Sequence, residues 1–578
     1  MPELSTLIDL LRRRAATQAG ERAYFLISDD LAEQAELSFA EIDRRSGIVA
    51  AHLGRYLHKG DRALLMFPTG LDIIVAFFGC LKAGVIAVPM MPPRRTSTQD
   101  SSEAIISDCA PRIVLTSSGL VENRPDIFAR LRGASLEWIA VDTLSRITDD
   151  QTASLSLNGD EIAFLQYTSG STSAPKGVIV THGNLLANLE MIRVALGNTQ
   201  RSTHVVWIPF YHDMGLVLNV LESFYLGALC VVLSPTSFIQ RPVNWLRAMA
   251  RYRAEVSSAP NFAYDLCVSR FRPDQVEGLD LSCWKIALNG AEPVRAATID
   301  RFAAKFAPCG FDPRAMYPAY GMAEATLLIS GGQRGRGVVT RNISREALRG
   351  GNIAAPKDSE DTQVLVGCGR PTIGEEVAIV DPESRRRLQA DTVGEVWVRG
   401  ANVATGYWRN PAATAETFAA TIASEGDARW LRTGDLGFLD SGGEIYITGR
   451  LKDVIIIYGN NHYPQDIEAT MQSAHPALRP NSGVAFSHVD DRGVEQLVLV
   501  QEIERSWRHQ VSVRDLEQLV RAAITNEHDI AAREIVFVRP GSIPKTTSGK
   551  VRRSFARQLW QEHAMDVVTA DGLAGTAN

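Results

Sequence analysis

The stretch Ile162-Ala-Phe-Leu-Gln-Tyr-Thr-Ser-Gly-Ser-Thr-Ser-Ala-Pro-Lys-Gly-Val-Ile-Val-Thr-His182 indicates the class of fold. Two apolar runs of strand length flank a loop of Ser, Thr and Gly between Thr168 and Gly177. Small hydroxyl residues around glycine place many N–H and O–H donors in a tight space, which suits a polyphosphate. The pattern GxxxxGK[ST] is absent, and both flanks are strands, so this is not the common nucleotide P-loop. A ligand-free hairpin loop can have the same composition, so the assignment depends on the rest of the chain.

Outward from this stretch, short runs rich in Val and Ile alternate with longer helical patterns. The runs are ALLMF (63–67), VIAVP (85–89), IVLT (113–116), WIAV (138–141), VVWIP (205–209) and LCVVL (229–233). This alternation predicts α/β units with largely parallel sheets covered on both faces. One helix is predicted in detail: Asn184 caps it, Leu185, Leu189, Ile192 and Leu196 share a face, and Gly197 ends it.

Length and composition restrict the class of protein. The 578 residues exceed one ordinary core, so two or more packed units are expected. A net charge of −6 is too small and too mixed to imply nucleic acid as a partner. Seven scattered cysteines without a CxxC pair indicate reduced thiols in a cytoplasmic protein. The N-terminus MPELSTLIDLLRRRAA lacks the charged, then apolar, then small-residue layout of a signal peptide, so we expect none. The most apolar stretch, 71–91, is interrupted by charges, glycines and proline, so we expect no stable membrane insertion.

Two segments interrupt the α/β rhythm. Gly331–Glu360 is rich in Gly, Arg and polar residues, which predicts a long loop or an insertion. The turn-rich sequence DSGGEIYITGRLKD (440–453) is followed by a compact α/β pattern with a basic tail. We therefore expect a large N-terminal domain over 1–449, with an inserted segment at about 331–360, and a smaller C-terminal domain over 450–578.

Further motifs follow the Ser/Thr/Gly loop along the chain. They are Tyr320-Gly-Met-Ala-Glu324, Gly394-Glu-Val-Trp-Val-Arg-Gly400, Thr405-Gly-Tyr-Trp408, Arg432-Thr-Gly-Asp435, Gly449-Arg-Leu-Lys-Asp453 and Pro544-Lys-Thr-Thr-Ser-Gly-Lys550. Their order and spacing resemble the acyl-adenylate-forming (ANL) superfamily, which includes acyl-CoA synthetases, luciferases and adenylation domains of peptide synthetases. The resemblance covers nearly the whole chain. It implies an α/β fold with a large N-terminal domain of mixed and parallel sheets flanked by helices, plus a smaller, mobile C-terminal α/β domain.

The resemblance also implies a role for each matching residue. The phosphate-binding loop corresponds to Thr168, Ser169, Gly170, Ser171, Thr172 and Lys176. Adenine and ribose contacts correspond to Asn289, Gly290, Ala291, Tyr320, Asp435 and Arg450. Glu324 matches the Mg²⁺ ligand, Lys550 the lysine that bridges substrate carboxylate and α-phosphate, and Lys452 the domain hinge. The acyl pocket would begin at His212, Asp213 and Met214.

These residue types fit the implied chemistry. A carboxylate attacking an α-phosphorus brings two anions together, so the reaction needs cations and oriented donors and no protein nucleophile. ATP and Mg²⁺ are the implied cofactors, and magnesium favours one or two carboxylates plus phosphate oxygens. Each residue also has a plainer interpretation: Glu324 as a surface acid, Lys550 as a solvated lysine of an exposed basic tail, and Tyr320 as a core residue. His212 and Asp213 could merely pin a strand end.

Three details favour one branch of the superfamily. Ser173 and Ala323 stand where CoA-forming enzymes usually carry glycine and threonine. In addition, 45 positions separate Glu324 from Gly369, which is more than CoA synthetases usually have there. With WIPFYHDMGL (207–216) and VIIIYGNNHYPQDIE (454–468), these details resemble the fatty acyl-AMP ligases. The resemblance implies a fatty acid substrate and, as acceptor, a separate acyl carrier protein of a polyketide or nonribosomal peptide synthase.

Other readings remain open at this point. An acyl- or aryl-CoA synthetase differs only in those three details, and a catalytically silent acyl or nucleotide sensor would keep the fold. The segment Gly331–Glu360 could restrict the swing of the C-terminal domain, or it could be a surface loop without consequence. The acyl chain length, the oligomeric state and the pathway stay undetermined.

Overall fold

The fold is seen in a computed structural model whose described residues are 4–93, 102–131, 136–145, 155–168, 175–272, 275, 278–423, 425–457, 460–489, 495–507, 510–546 and 550–568. Helices up to residue 450 are α1 Leu7–Thr17, α2 Phe39–Leu53, α3 Asp72–Lys82, α4 Ser102–Cys109, α5 Ser118–Asn123, α6 Pro125–Leu131, α7 His182–Leu196, α8 Glu222–Leu226, α9 Pro235–Gln240, α10 Val243–Arg251, α11 Asn261–Arg270, α12 Ala296–Phe306, α13 Arg345–Arg349 and α14 Pro411–Phe418. Strands over the same range are β1 Arg22–Ile27, β2 Glu33–Ser38, β3 Arg62–Met66, β4 Ile86–Met90, β5 Ile113–Thr116, β6 Glu137–Ala140, β7 Ile162–Thr168, β8 Lys176–Thr181, β9 His204–Val206, β10 Cys230–Leu233, β11 Val256–Pro260, β12 Ile286–Gly290, β13 Met316–Gly321, β14 Leu328–Gly331, β15 Thr340–Ser344, β16 Thr362–Val366, β17 Arg370–Pro371, β18 Glu376–Val380, β19 Gly394–Arg399, β20 Leu431–Leu439 and β21 Ile445–Arg450.

A six-stranded sheet carries the stretch from which the sequence argument began. Its strand order is β6-β5-β3-β4-β7-β8, parallel throughout except that β8 runs antiparallel to β7. The register of that last pair sets Thr168 opposite Lys176. The two ends of the Ser/Thr/Gly loop therefore lie side by side at one end of the sheet.

A nine-stranded sheet supplies the strand ends on which the candidate site is built. Its order is β17-β14-β13-β12-β11-β9-β10-β1-β2, and the strands from β13 to β1 run parallel. Carboxyl ends of parallel strands meet at one edge, which is where open α/β sheets bind ligands. At one side β14 and the edge strand β17 pair antiparallel, and at the other side so does β2, so the sheet is mixed. The predicted fold class is confirmed.

The helix predicted in detail exists, but its cap differs. Thr181 is the N-cap of α7, and Asn184 stands at the third helical position. The Thr181 hydroxyl accepts from the Asn184 backbone N–H at 3.1 Å, and the Asn184 side chain accepts from the Thr181 N–H at 3.1 Å. This reciprocal capping box satisfies two free N–H groups, so the assignment of Asn184 as cap is wrong by one turn. Gly197 ends the helix in the left-handed region, as predicted.

Gly331–Glu360, called here the insertion segment, contains regular structure. It holds β15 and the short helix α13, and β15 pairs with β16 in an antiparallel ladder. Ile343 and Leu348 are buried in a small apolar cluster with Leu436 of β20 and Tyr463. The alternative of a structureless loop is therefore wrong.

The chain after residue 454 folds around its own apolar residues. Its elements are β22 Ile455–Ile457, β23 Asn460–His462, α15 Pro464–Ser473, β24 Leu478–Val489, β25 Glu495–Ile503, α16 Val513–His528, β26 Ala532–Val538 and α17 Arg553–Gln561. Among the described residues, its two larger apolar clusters draw only on positions from Ile455 onward. Over the same described ranges, no helix is both long and apolar enough to cross a membrane.

The insertion segment and β16 contact this C-terminal part through polar groups. Arg345 pairs with Glu527, and Arg349 Nη1 lies 2.9 Å from Asp529 Oδ2. Gln363 Nε2 donates to Asp466 Oδ2 at 2.9 Å. These contacts surround a cavity of about 210 Å³ between the two parts of the chain. The C-terminal part is therefore held on one side by the insertion segment.

Candidate active site

Glu324 lies on a tight turn just after β13. Its side chain is buried, with 9% of its surface exposed, and Oε1 accepts a hydrogen bond from the Tyr407 hydroxyl at 2.8 Å. Its carbonyl oxygen accepts from the Ala404 N–H at 2.9 Å. Burial raises the pKa of Glu324, and the Tyr407 hydrogen bond partly opposes that rise. The plain interpretation of Glu324 as a surface acid does not fit this geometry.

The turn that presents Glu324 is strained. Thr326, a β-branched residue, has φ +64°, a region that such residues rarely adopt. Its hydroxyl donates to the Asn402 carbonyl oxygen at 2.6 Å, which holds the unusual backbone in place. Strained residues of this kind persist only where the surroundings over-determine them, and they cluster at functional sites.

Tyr320, Asp435 and Arg450 form a second group beside this turn. The Tyr320 hydroxyl donates to Asp435 Oδ2 at 2.8 Å, and Arg450 Nε lies 3.0 Å from Asp435 Oδ1. Asp435 on β20 and Arg450 on β21 are direct partners across the antiparallel pair. The interaction with Asp435 raises the pKa of Arg450. The buried Asp435 carboxylate is therefore held at both oxygens, one by Tyr320 and the other by Arg450.

Asn289, Gly290 and Ala291 end β12 at the same edge of the sheet. A Cβ at Gly290 would approach the Ala319 carbonyl oxygen to 2.8 Å, so the backbones of β12 and β13 are too close for a side chain. Ala291 has φ +66°, which turns the chain away from the strand. Asn289 Oδ1 is buried and has no partner among the described residues. The end of β12 therefore has no room for a side chain at Gly290, and it carries an acceptor, Asn289 Oδ1, that binds no other described group.

His212, Asp213 and Met214 start a helix of π type over Met214–Leu221. His212 Nδ1 lies 2.7 Å from Asp213 Oδ1, which also accepts from the Met214 N–H at 2.7 Å. Burial acts to raise the pKa of Asp213, but His212 and Lys550 hold that pKa below its ordinary value. Asp213 therefore stays an anion and holds the imidazole.

Lys550 lies against the N-terminal part and is partly buried. Burial and the nearby Arg450 lower its pKa, while the carboxylates of Asp213, Glu292 and Asp435 oppose that change. The expectation of an exposed basic tail is wrong for this residue. The fold brings the lysine close to carboxylates from three segments: Asp213, Glu292 just after β12, and Asp435 on β20 of a separate four-stranded sheet.

The phosphate loop is described only at its ends. Thr168 and Lys176 face each other across β7 and β8, and the Lys176 ammonium lies 4.7 Å from the centroid of the Tyr407 ring. Ser169, Gly170, Ser171 and Thr172 lie outside the described residues. The two described ends of the loop therefore lie close to Tyr407, whose hydroxyl contacts Glu324.

Lys452 lies between residues bound to opposite parts of the chain. Leu451 N–H donates to the Gly434 carbonyl at 2.9 Å, which ties it to β20. Asp453 Oδ2 lies 2.6 Å from Arg553 Nη1, and Arg553 Nη2 lies 2.7 Å from Glu468 Oε1.

Two residues of the site escaped the sequence reasoning. Glu292 accepts from the Phe262 N–H at 2.5 Å, and burial raises its pKa beside Lys550. Tyr407 contacts both Glu324 and Lys176. Glu292 directly follows the predicted adenine contacts, and Tyr407 lies inside the motif Thr405–Trp408. The neighbouring sequence gave no sign of what either side chain contacts.

Comparisons with known proteins identify the family of this chain. The AMP-binding enzyme family matches residues 11–408, and the family described as Disco-interacting protein 2-like, AMP domain, matches residues 452–570. The medium-chain-fatty-acid–[acyl-carrier-protein] ligase JamA of Moorena producens (strain JHB) is 43% identical over 98% of this chain and 96% of its own. The ligase TtuA of Teredinibacter turnerae, with the same description, is 37% identical over 97% of this chain and 94% of its own.

A solved structure matches over nearly the full length. It is the fatty acyl-adenylate ligase of L. pneumophila in complex with acyl adenylate and pyrophosphate, 37% identical, with a TM-score of 0.76 and 98% of each chain covered. This chain belongs to the AMP-binding, acyl-adenylate-forming superfamily of ligases, in its fatty acyl-AMP ligase branch.

Proposed function

We propose that this protein activates a fatty acid with ATP and passes the acyl group to an acyl carrier protein. In the first step a carboxylate oxygen attacks the α-phosphorus, the bond to the β-phosphate breaks, and pyrophosphate leaves. In the second step the phosphopantetheine thiol of the carrier attacks the acyl carbonyl, loses its proton, and AMP leaves. The relatives with this activity match over nearly their whole length.

One observation carries the proposal: cations and acids from distant segments meet at one edge of the nine-stranded sheet. Lys550, near the end of the chain, lies in the electrostatic field of Asp213, Glu292 and Asp435. An ammonium group there would offset the negative charge that builds up when carboxylate and α-phosphate meet. The reaction needs no nucleophile from the protein, and the site supplies oriented charge instead.

The remaining residues would bind the nucleotide. Asp435, held by Tyr320 and Arg450, would accept hydrogen bonds from the ribose hydroxyls. Asn289, Gly290 and Ala291 would contact adenine at the end of β12, and Tyr320 would pack against the ring. Thr168 to Thr172 with Lys176 would surround the phosphates. His212, Asp213 and Met214 would form the entry to the acyl pocket.

Mg²⁺ fits the acid at the centre of the site. Glu324 is a buried carboxylate with one oxygen held by Tyr407, and Mg²⁺ in nucleotide sites favours one or two carboxylates plus phosphate oxygens. When bound, the ion would neutralise charge on the phosphates. The residues present therefore suit the cofactor that the family uses.

We also propose that the chain divides into domains at 1–449 and 450–578, with Lys452 as the hinge. The apolar clusters that draw only on residues from Ile455 onward support this division. Rotation at the hinge would withdraw Lys550 after adenylation and open the acyl carbonyl to a thiol.

The insertion segment supports a carrier protein as the acceptor rather than free CoA. Its arginines bind Glu527 and Asp529 at the end of α16, and thus resist movement of the C-terminal domain. A docked carrier protein can offset this resistance through its own contacts, whereas free CoA offers a smaller surface. An acyl-CoA synthetase is the alternative, and a silent sensor is the alternative outside catalysis.

Product analysis tests the proposal. The protein is incubated with ATP, Mg²⁺, mixed fatty acids, CoA and a phosphopantetheinylated carrier protein, and products are identified by mass spectrometry. We expect pyrophosphate, acyl-AMP and acyl-carrier product with little acyl-CoA. Acyl-CoA formed as fast as adenylate would make the enzyme a CoA synthetase, and the absence of pyrophosphate release would support the sensor.

We propose a cytoplasmic location for these reactions. All seven cysteines are free and buried, as expected of a protein that folds among reduced thiols. ATP and carrier proteins would be met in the same compartment. Fractionation of the producing cell, followed by immunodetection of this chain, tests the location.

A further inference from the structure

Tyr407 connects two elements of the site that lie far apart in sequence. Its hydroxyl donates to Glu324 Oε1 at 2.8 Å, across 83 positions of the chain. Its ring receives the Lys176 ammonium at 4.7 Å from the centroid. Tyrosine is suited to both contacts, because the hydroxyl is a donor and the ring face attracts a cation. The same side chain therefore contacts the candidate metal ligand and the end of the phosphate loop.

The backbone around Tyr407 fixes this position. Trp408 N–H donates to the Gly177 carbonyl at 2.7 Å, and Ile179 N–H donates to the Gly406 carbonyl at 2.9 Å. The segment thus adds to the edge of β8, directly after the phosphate loop. Tyr407 N–H donates to Thr414 Oγ1 at 2.9 Å, which fastens the other side of the residue to α14.

The hydrogen bond also restricts the orientation of the Glu324 carboxylate. With Oε1 held by the Tyr407 hydroxyl, the carboxylate that would hold the cation is fixed before the ion binds. Groups that hydrogen-bond to a metal ligand fix its orientation, and their loss typically lowers metal affinity or activity by about 10- to 100-fold. The strained turn at Thr326 restricts Glu324 from the backbone side, so Tyr407 completes its orientation from the side-chain end.

We propose that Tyr407 is a positioning residue, which orients Glu324 for a divalent cation and couples that carboxylate to Lys176 and the phosphate loop. The inference rests on the proposed use of ATP and Mg²⁺. It predicts that the hydroxyl serves metal-dependent nucleotide binding, while the fold and metal-free nucleotide binding do not need it.

The test compares Tyr407→Phe with wild type, keeping the ring and removing only the hydroxyl. Binding of α,β-methylene-ATP is measured by titration calorimetry without Mg²⁺ and over a range of Mg²⁺ concentrations. We expect unchanged affinity without Mg²⁺, and about 10-fold more Mg²⁺ needed to reach the tight complex. In acyl-AMP formation the variant should regain most of its turnover at high Mg²⁺.

Two controls separate positioning from general damage. Tyr317→Phe removes another buried hydroxyl, which donates to the Ala195 carbonyl at 3.1 Å, and should leave the Mg²⁺ dependence unchanged. In a Glu324→Gln background, Tyr407→Phe should raise the Mg²⁺ requirement little further, because the two residues act as one unit. Additive losses, or an unchanged Mg²⁺ requirement in Tyr407→Phe, would overturn the proposal. A wild type that binds the analogue but forms no acyl-AMP would contradict the proposed function and leave this test valid.

Discussion

At the scale of single residues, the site depends on charges that the fold keeps close together. Lys550 is partly buried near Asp213, Glu292 and Asp435, and burial lowers its pKa. Glu324 is buried as well, and burial raises its pKa. Opposite shifts of this kind are typical of functional sites, because the groups are desolvated before the substrate arrives.

Lys550→Ala should reduce acyl-AMP formation by about 10²- to 10³-fold, because it removes a cation from the point where two anions meet. ATP binding and the unfolding temperature should change little, since the Lys550 side chain is only partly buried. Hydroxylamine trapping of the adenylate measures the effect, and Lys357→Ala, an exposed lysine of the insertion segment, is the control. Full activity in Lys550→Ala would remove it from the mechanism.

Glu324→Gln should raise the Mg²⁺ requirement and depress turnover, because a neutral amide is a poorer ligand for a hard cation. Gln keeps the size of the side chain and can still accept the Tyr407 hydrogen bond, so the fold should persist. The Mg²⁺ concentration for half-maximal acyl-AMP formation is the measurement. An unchanged value means that another group holds the ion.

Asp435→Ala should chiefly raise the Michaelis constant for ATP by about 10-fold or more, since each 1.4 kcal/mol of lost binding is a factor of ten. The carboxylate binds Tyr320 and Arg450 in the free protein, so the variant also releases these partners. Asp435→Asn keeps an acceptor and should be milder. The ribose assignment fails if the constant for ATP is the same in all three proteins.

At the scale of elements, helix α13 connects the insertion segment to the C-terminal part. Arg345 and Arg349 lie on one short helix and bind Glu527 and Asp529 at the end of α16. Partly exposed ion pairs contribute about 0.2–1 kcal/mol each. Together they can shift a domain equilibrium severalfold without being needed for folding.

The double variant Arg345→Ala with Arg349→Ala should therefore release the C-terminal domain. We expect acyl-AMP formation near the wild-type rate and acyl-CoA formation increased by about fivefold, the factor that roughly 1 kcal/mol provides. Rates with CoA and with the carrier protein are measured side by side. Lys357→Ala, which breaks the exposed pair with Glu346 inside the segment, should leave both rates unchanged. If the double variant also leaves both rates unchanged, the insertion segment does not restrain the C-terminal domain.

At the scale of the whole molecule, we propose that a hinge at Lys452 separates two catalytic states. Lys452 lies between Leu451, bonded to Gly434, and Asp453, bound by Arg553. Lys452→Pro should preserve most adenylation and strongly reduce transfer to the carrier protein, because proline fixes φ near −65° and restricts rotation. Single-turnover assays of each step separate the two effects. Equal losses in both steps would point to general damage rather than a hinge.

Much of the fold could be predicted from local sequence. Strand IVLT at 113–116 has the predicted bounds, and the other predicted strands differ by a few residues at their ends. Short apolar runs and helical periods are patterns of neighbouring residues, so strands and helices can be predicted from them without knowledge of the tertiary structure. The cap of α7 was misassigned because Thr181 and Asn184 both suit a cap, and only the backbone geometry distinguishes them.

The order of motifs along the chain by itself determined the superfamily and identified the residues that we propose for the site. Tertiary structure alone decided which of these side chains touch. Tyr407 contacts Glu324, and Lys550 lies within the electrostatic influence of Asp213, because separate sheets and the C-terminal part pack against one edge. Such contacts depend on how whole elements pack, and no local period or spacing records them. The same packing places the insertion segment, with its strand β15 and short helix α13, against the C-terminal part.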